Sequence, residues 1–266
     1  MSIHSSACID PEAALGRDVV VGPGAVIAAG ARVGDRCVIG PHAVIYGGVT
    51  LGEGCRVHAG AVIGDTPQDL AFKGEVASFV RIGARNILRE GVTIHRGTKE
   101  GTETVTGDDC YLMANSHLAH NVQLGHRVII ANGALLAGYV EVGDGAFISG
   151  NVVVHQFCRV GRLAMLGGLS AISKDVPPFC MTRSGSLNTI VGLNIVGLRR
   201  NGFNPEQRKS ARGCLDIVFR QGLNTGQAVR KLGVLAEQGD VLAGEWANFI
   251  AGASRGICKF SSGGEE

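Results

Sequence analysis

Two histidines, His117 and His120, flank Leu118 in the stretch spanning residues 115–121. Imidazole is the side chain that most readily takes up a proton near neutral pH. A pair this close, on an otherwise aliphatic and glycine-rich background, marks the place to look for general-base chemistry. The surroundings are periodic. Leu112, Leu118, Leu124, Ile130, Leu136, Val142, Ile148, Val154, Val160, Leu166 and Ile172 recur every six residues. That period is too long for helix or strand alternation and matches the hexapeptide repeat of a parallel β-helix. Each hexad is then a short strand and a corner. The aliphatic slot fills the interior, and glycine or a small polar residue permits the bend. Three hexads close one triangular coil of 18 residues, and coils stack at about 4.8 Å.

Stacking by 18 places Leu118, Leu136 and Val154 above one another. His117 and His120 flank the first, Gly138 and Tyr139 follow the second, and His155 and Gln156 follow the third. One edge of the prism therefore gathers these six residues within three layers, a span on the order of 10 Å. Imidazoles, a phenol, an amide and a glycine N–H suit a general base with an oxyanion donor. Taken singly, each would be a solvated corner residue; the hexad frame makes them converge. His126 falls one hexad past His120, on the next face. A zinc site shared between subunits, as in γ-class carbonic anhydrases, needs three histidines facing one interface, and the 117/120/126 spacing is no obvious match. Cys158 lies near His155 in sequence, but a cysteine nucleophile needs contact with its base and a lowered thiol pKa.

The same ladder begins at Ile3 and runs without a gap to Ile63. Residues 65–80 are polar, contain Pro67 and shift the phase by one before Ile82, which predicts an excursion loop. A second, glycine-rich loop covers 97–105. Loops on rigid scaffolds often carry binding groups. Pro177 and Pro178 withhold backbone donors and are expected to end the stacking. Beyond them the period changes. Asn204-Pro205-Glu206-Gln207 reads as an N-cap, a first-turn proline and a capping-box glutamine. Helices are expected from there to near Gly222, over 225–237, and over 241–253, with Val234 among the apolar positions of the second. The segment 261–264 reads as a frayed tail. The expected fold is thus mainly β: a parallel β-helix over 1–186 and a small C-terminal α-helical domain over 187–266.

Composition narrows the function. A formal charge of +2 gives no argument for nucleic-acid binding. Eight cysteines without a C-x-x-C pair read as reduced thiols of a cytosolic protein. The first residues show no signal peptide, and no apolar run reaches membrane-spanning length.

Longer motifs are more specific than the hexads. Residues 63–70, Val92-Thr93-Ile94-His95-Arg96-Gly97-Thr98, residues 115–121, Val154-His155-Gln156-Phe157, Asp175-Val176-Pro177-Pro178 and residues 194–203 together resemble the UDP-N-acetylglucosamine O-acyltransferases that begin lipid A synthesis. The resemblance covers nearly the whole chain. It implies a left-handed coil, a homotrimer with active sites between subunits, and no metal or cofactor. It implies transfer of a 3-hydroxyacyl chain from acyl carrier protein to the 3-hydroxyl of a UDP-sugar. By match, His120 is the general base and the Gly138 N–H holds the oxyanion. Gln68, Asp69 and His117 hold the hexosamine. His155, Gln156, Asn194 and Arg200 lie along the nucleotide and pantetheine side, and Gly168 leaves room for a long acyl chain.

Five positions depart from that pattern. Ala71 replaces a lysine, Asn121 an acid that follows the base, and Tyr139 a histidine, while Val196 and Asn201 replace polar and basic residues. These departures lie on the acceptor and nucleotide side. They raise an acceptor with an amine at the 3-position as an alternative. A relative using a coenzyme A donor and a non-catalytic sugar-nucleotide-binding trimer are the other readings.

Overall fold

A computed structural model describes residues 1–261. Its frame is the hexad. Most strands are two residues long, and the second residue of each points inward, as in Val38–Ile39 and His117–Leu118. Three parallel sheets result, in register at steps of one coil; Leu118 pairs with Ile94 below and Leu136 above, and Leu136 with Val154. The first face contains Val38–Ile39 and Ile129–Ile130, the second Val44–Ile45 and His117–Leu118, and the third Arg32–Val33 and Gln123–Leu124. The interior is a dry aliphatic column with smaller residues such as Ala25, Ala43 and Cys37 at the corners.

The corners explain the glycine content. The third residue after most inward aliphatics turns with positive φ, as at Gly133, Gly145, Asn115 and Asn121. Glycine and asparagine reach this conformation at low cost. Tyr139, Phe157, Leu163 and Leu169 occupy the same position with φ between 53° and 63°. A bulky side chain there carries backbone strain.

The chain leaves the coil in two places, after Asp65 and between His95 and Glu103, where the strand Glu103–Thr106 begins earlier than the expected loop ends. The strand Val62–Asp65 bulges after Ile63, which sets Asp65 beside His95. The chain then leaves the prism and returns at Phe79–Ile82. The second loop braces the first: the N–H of Gly101 donates to Ala77 O (2.9 Å), and Arg96 lies over the Phe72 ring (5.2 Å) while donating to Val76 O (3.3 Å).

The prolines do not stop the stacking. Cys180–Thr182 still adds parallel to the first face, beside Met165–Leu166, and Thr189–Leu193 then pairs antiparallel with it. Pro177 and Pro178 occupy a corner, where no ladder donor is needed, so their missing N–H groups cost nothing. Lys259–Phe260 pairs parallel with that antiparallel strand and is the last strand of the face.

Four helices follow among the described residues. Helix α1 (Ile195–Arg200) has no signature in the sequence, since it is short and Gly197 interrupts its apolar residues. Helix α2 covers Pro205–Phe219, α3 Thr225–Glu237 and α4 Val241–Ala251. Asn204/Gln207 and Asn224/Gln227 both form capping boxes. Val234 is exposed, not buried, whereas Leu232 and Trp246 fill the helical core. Asp175, almost fully buried, binds Arg159 (2.9 Å), and Arg159 reaches Phe249 O (2.6 Å), joining the last coil to α4. Of the expected tail, Ser261 donates its N–H to Ile190 O (2.9 Å); residues 262–264 lie outside the described residues. No helix among the described residues is long and apolar enough to cross a membrane.

Candidate active site

His120, Gly138 and Gln156 stand one above another on the edge between the second and third faces, as the 18-residue step requires. The His120 ring edge, Cε1 and Nε2, lies directly over Gly138. A Cβ at that position would overlap the ring and push it from its place. Among the described residues no acceptor takes the Gly138 N–H. A base and a free backbone donor are therefore in contact.

The proton on His120 can be placed by elimination. The Thr98 N–H is an unambiguous donor and lies 3.1 Å from Asn121 Oδ1, so the amide presents oxygen on that side. The same oxygen is 3.1 Å from His120 Nδ1. Two acceptors would repel, so Nδ1 carries the hydrogen and Nε2 keeps its lone pair. Asn121 itself is nearly buried, and its N–H donates to Thr104 Oγ1 (2.8 Å).

His117 sits on the second face next to this edge. Its Nδ1 is 2.7 Å from Thr93 Oγ1, and its ring meets His95 edge-on at 4.8 Å. Burial, then the neighbouring His95 and His120, pushes His117 down from 6.5 to about 4. Burial also lowers His95, against the pull of Asp65. Both imidazoles are neutral at pH 7 and can hydrogen-bond a neutral sugar without adding charge. The sequence reading passed over His95, whose Nδ1 is buried without a protein partner. Its only signal was membership of the residue 92–98 motif.

Other expected residues scatter more widely. Gln68 is exposed on the first loop, and Asp69 is half-buried with Oδ1 accepting the Ala71 N–H (2.9 Å). Tyr139 meets His120 edge-on at 5.2 Å and stacks on Phe157 at 4.9 Å. His155 and Gln156 are exposed one layer higher. Gly168 lies on a different edge, between the first and second faces, with nothing nearer to a notional Cβ than Gly150 O at 3.5 Å. Asn194 caps α1 by accepting the Gly197 N–H (2.9 Å) and donates to Leu163 O (2.9 Å). With Val196, Arg200 and Asn201 it lines a cavity of about 390 Å³ against Phe147 and Met165 of the first face. Within one chain this cavity does not meet the His120 edge.

His126 sits on the third-to-first edge, its Nδ1 accepting the Asp108 N–H (3.0 Å), apart from the other histidines. Among the described residues no three His, Cys, Asp or Glu side chains cluster as metal ligands. Cys158 is buried, its thiol pushed up to about 11 by desolvation, which does not suit a nucleophile.

Residues 175–258 match the family described as UDP N-acetylglucosamine O-acyltransferase, domain 2, and residues 30–65 and 103–138 match the bacterial transferase hexapeptide. An acyl-[acyl-carrier-protein]–UDP-N-acetylglucosamine O-acyltransferase of Pseudomonas entomophila is 43% identical over 259 residues, 97% of this chain and 99% of that protein. The chain belongs to the UDP-N-acetylglucosamine O-acyltransferase family. The structure of the Francisella novicida UDP-N-acetylglucosamine acyltransferase superposes with a TM-score of 0.94 at 33% identity, covering 98% of this chain and 95% of that one. The Bacteroides fragilis enzyme of the same name gives 0.89 at 38% identity, covering 96% and 98%. The β-helix is left-handed, as in these family members.

Proposed function

We propose that this protein transfers a 3-hydroxyacyl chain from acyl carrier protein to the 3-position of UDP-N-acetylglucosamine, the first step of lipid A synthesis. The observation that carries the mechanism is the contact between His120, with Nε2 unprotonated, and the unpartnered N–H of Gly138. His120 Nε2 takes the proton of the acceptor hydroxyl as its oxygen attacks the thioester carbonyl. The Gly138 N–H donates to the resulting oxyanion. Collapse breaks the C–S bond, and His120 returns the proton to the departing thiolate. His117, Gln68 and Asp69 hold the hexosamine, and the free end of the acyl chain runs across the second face toward Gly168. No metal or cofactor takes part in this scheme.

The working form is a homotrimer. The outward positions of the first and second faces are largely apolar, with Val20 and Val38 on one and Val26, Leu135 and Val153 on the other. The third face presents Arg32, Arg81, Glu103 and Glu141. Two different apolar faces suit a heterologous contact that closes into a ring. Prisms meeting at the edge shared by those faces leave wedge-shaped clefts. Each cleft sets the His120 edge of one copy toward the cavity of Asn194 and Arg200 on the next, completing the nucleotide and pantetheine side. Eight unpaired cysteines support a reducing, cytoplasmic setting.

The test is transfer of a radiolabelled 3-hydroxyacyl chain from its carrier protein, with UDP-N-acetylglucosamine and its 3-amino analogue offered separately. Product is expected, and His120→Ala should lose roughly 10²–10⁴-fold in rate while remaining folded. An undiminished rate in that variant would remove His120 from the role of base. The departures at Ala71, Asn121, Tyr139, Val196 and Asn201 are the reason to offer both acceptors; exclusive use of the amine would move the substrate assignment.

A further inference from the structure

We propose that Thr98 and Tyr139 are positioning residues for the general base, acting through Asn121 to keep the proton of His120 on Nδ1. This rests on the reading of His120 as that base. The amide of Asn121 has two faces with opposite consequences. With oxygen toward the imidazole, Nδ1 donates and Nε2 is a base. Rotated by half a turn, the amide would offer an N–H to Nδ1; the ring proton would then sit on Nε2, where no substrate proton can be taken. A carboxylate at this position has no such ambiguity, since both its atoms accept. An amide needs a lock, and Thr98 supplies it twice.

Its backbone N–H and its hydroxyl both point at Asn121 Oδ1, at 3.1 and 3.0 Å. The hydroxyl spends its single hydrogen there, so it can only accept from Tyr139, whose phenol oxygen is 2.9 Å away. The hydrogen bonds therefore run one way, from Tyr139 to Thr98 to Asn121. Tyr139 occupies a corner with φ of 60°, as other residues do at this position of the coil. There its ring stacks on Phe157, its edge meets His120 and its phenol reaches Thr98. Thr98 itself arrives from the second loop, which gives that interruption of the coil a task in the site.

The test is a double-mutant cycle read by kcat, KM and pH profile, using carrier-protein thioester and UDP-N-acetylglucosamine. Thr98→Val should lower kcat roughly three- to tenfold, the rate equivalent of one hydrogen bond, with KM unchanged, and Thr98→Ser should restore it. Tyr139→Phe keeps both ring contacts and should give a smaller loss that vanishes once Thr98 is valine. Asn121→Asp places a charge beside His120, so the acid limb of kcat/KM should move to higher pH. The other titratable groups facing His120 are His95, His117 and Tyr139, with Asp65 behind His95. In the Asn121→Asp background Thr98→Val should be nearly silent, because a carboxylate needs no lock. Equal losses from Thr98→Val in both backgrounds would overturn the proposal, as would a loss confined to KM or a failure of serine to rescue. Full activity in His120→Ala would instead overturn the underlying reading and leave these comparisons recognisably different.

Discussion

At the scale of single residues, the histidines on the second face link catalysis to acid stability. His117 has an ordinary value of 6.5 and is held near 4 in the fold; His95 is lowered as well. Between those values the unfolded chain binds more protons than the native one. Stability therefore rises with pH across that window and falls as pH drops from about 6.5 toward about 4, levelling off below. The denaturant midpoint should decrease between pH 7 and pH 5, and His117→Gln should flatten part of that slope. A midpoint whose pH dependence ignores the substitution would mean that His117 is already solvated in the native protein. The same burial that makes the site acid-sensitive keeps these imidazoles neutral beside His120, where a second positive charge would oppose proton uptake by the base.

At the scale of elements, the coil depends on corners whose polar atoms are satisfied inside the prism. Asn86 is the clearest case. It is fully buried in the column that elsewhere holds Cys37, Cys55 and Cys110. Its Nδ2 donates to Gly83 O (2.9 Å) and Gly107 O (2.8 Å), and its Oδ1 accepts the Cys110 N–H (3.0 Å). These bonds tie two successive corners together just above the first excursion loop, where the phase has slipped by one residue. Asn86→Ala would strand the Cys110 N–H, leave Gly83 O and Gly107 O only the thiols of Cys55 and Cys110 as donors, and open a void. A loss of roughly 2–3 kcal/mol is expected from the orphaned groups, measurable by chemical denaturation. Asn86→Ala with unchanged stability would show that water or a relaxed corner replaces those bonds. Elements of this kind were only partly legible in the sequence. The capping box at Asn204 announced its helix because caps are local. Helix α1 and the strand Cys180–Thr182 did not, since a six-residue helix has too few positions to show a period and a strand of three has no signature apart from its neighbours.

For the whole molecule, the proposed trimer rests on the distribution of apolar residues over the three faces. Val38 is 41% exposed on the first face and lies several coils from the His120 edge, so its substitution tests the interface without touching the site. Val38→Asp would bury a charge between subunits, and the trimer should weaken or dissociate in sedimentation analysis. Thr50→Asp, on the polar third face, should leave the mass unchanged. A trimer indifferent to Val38→Asp but sensitive to Thr50→Asp would mean that the faces have been assigned in reverse. Activity should follow the mass, because the cavity of Asn194 and Arg200 lies away from His120 within one chain.

The sequence by itself determined the repeat, and with it the vertical order of the site. A fixed period of six leaves one way to stack, so His120, Gly138 and Gln156 had to share an edge before any coordinate was known. Motifs and caps were legible for the same reason: their physics lies within a few consecutive residues. What only the tertiary structure decided involves partners far apart in the chain. Thr98 meets Asn121 across 23 residues through a loop of no regular period, and on that contact rest the amide orientation and the tautomer proposed for His120. The neutrality of His95 and His117 likewise comes from burial, which depends on what packs above and beside them. Gly168 falls on another edge by the same hexad count, whereas the place of Asn194 depends on its long-range bond to Leu163 O at the cap of α1.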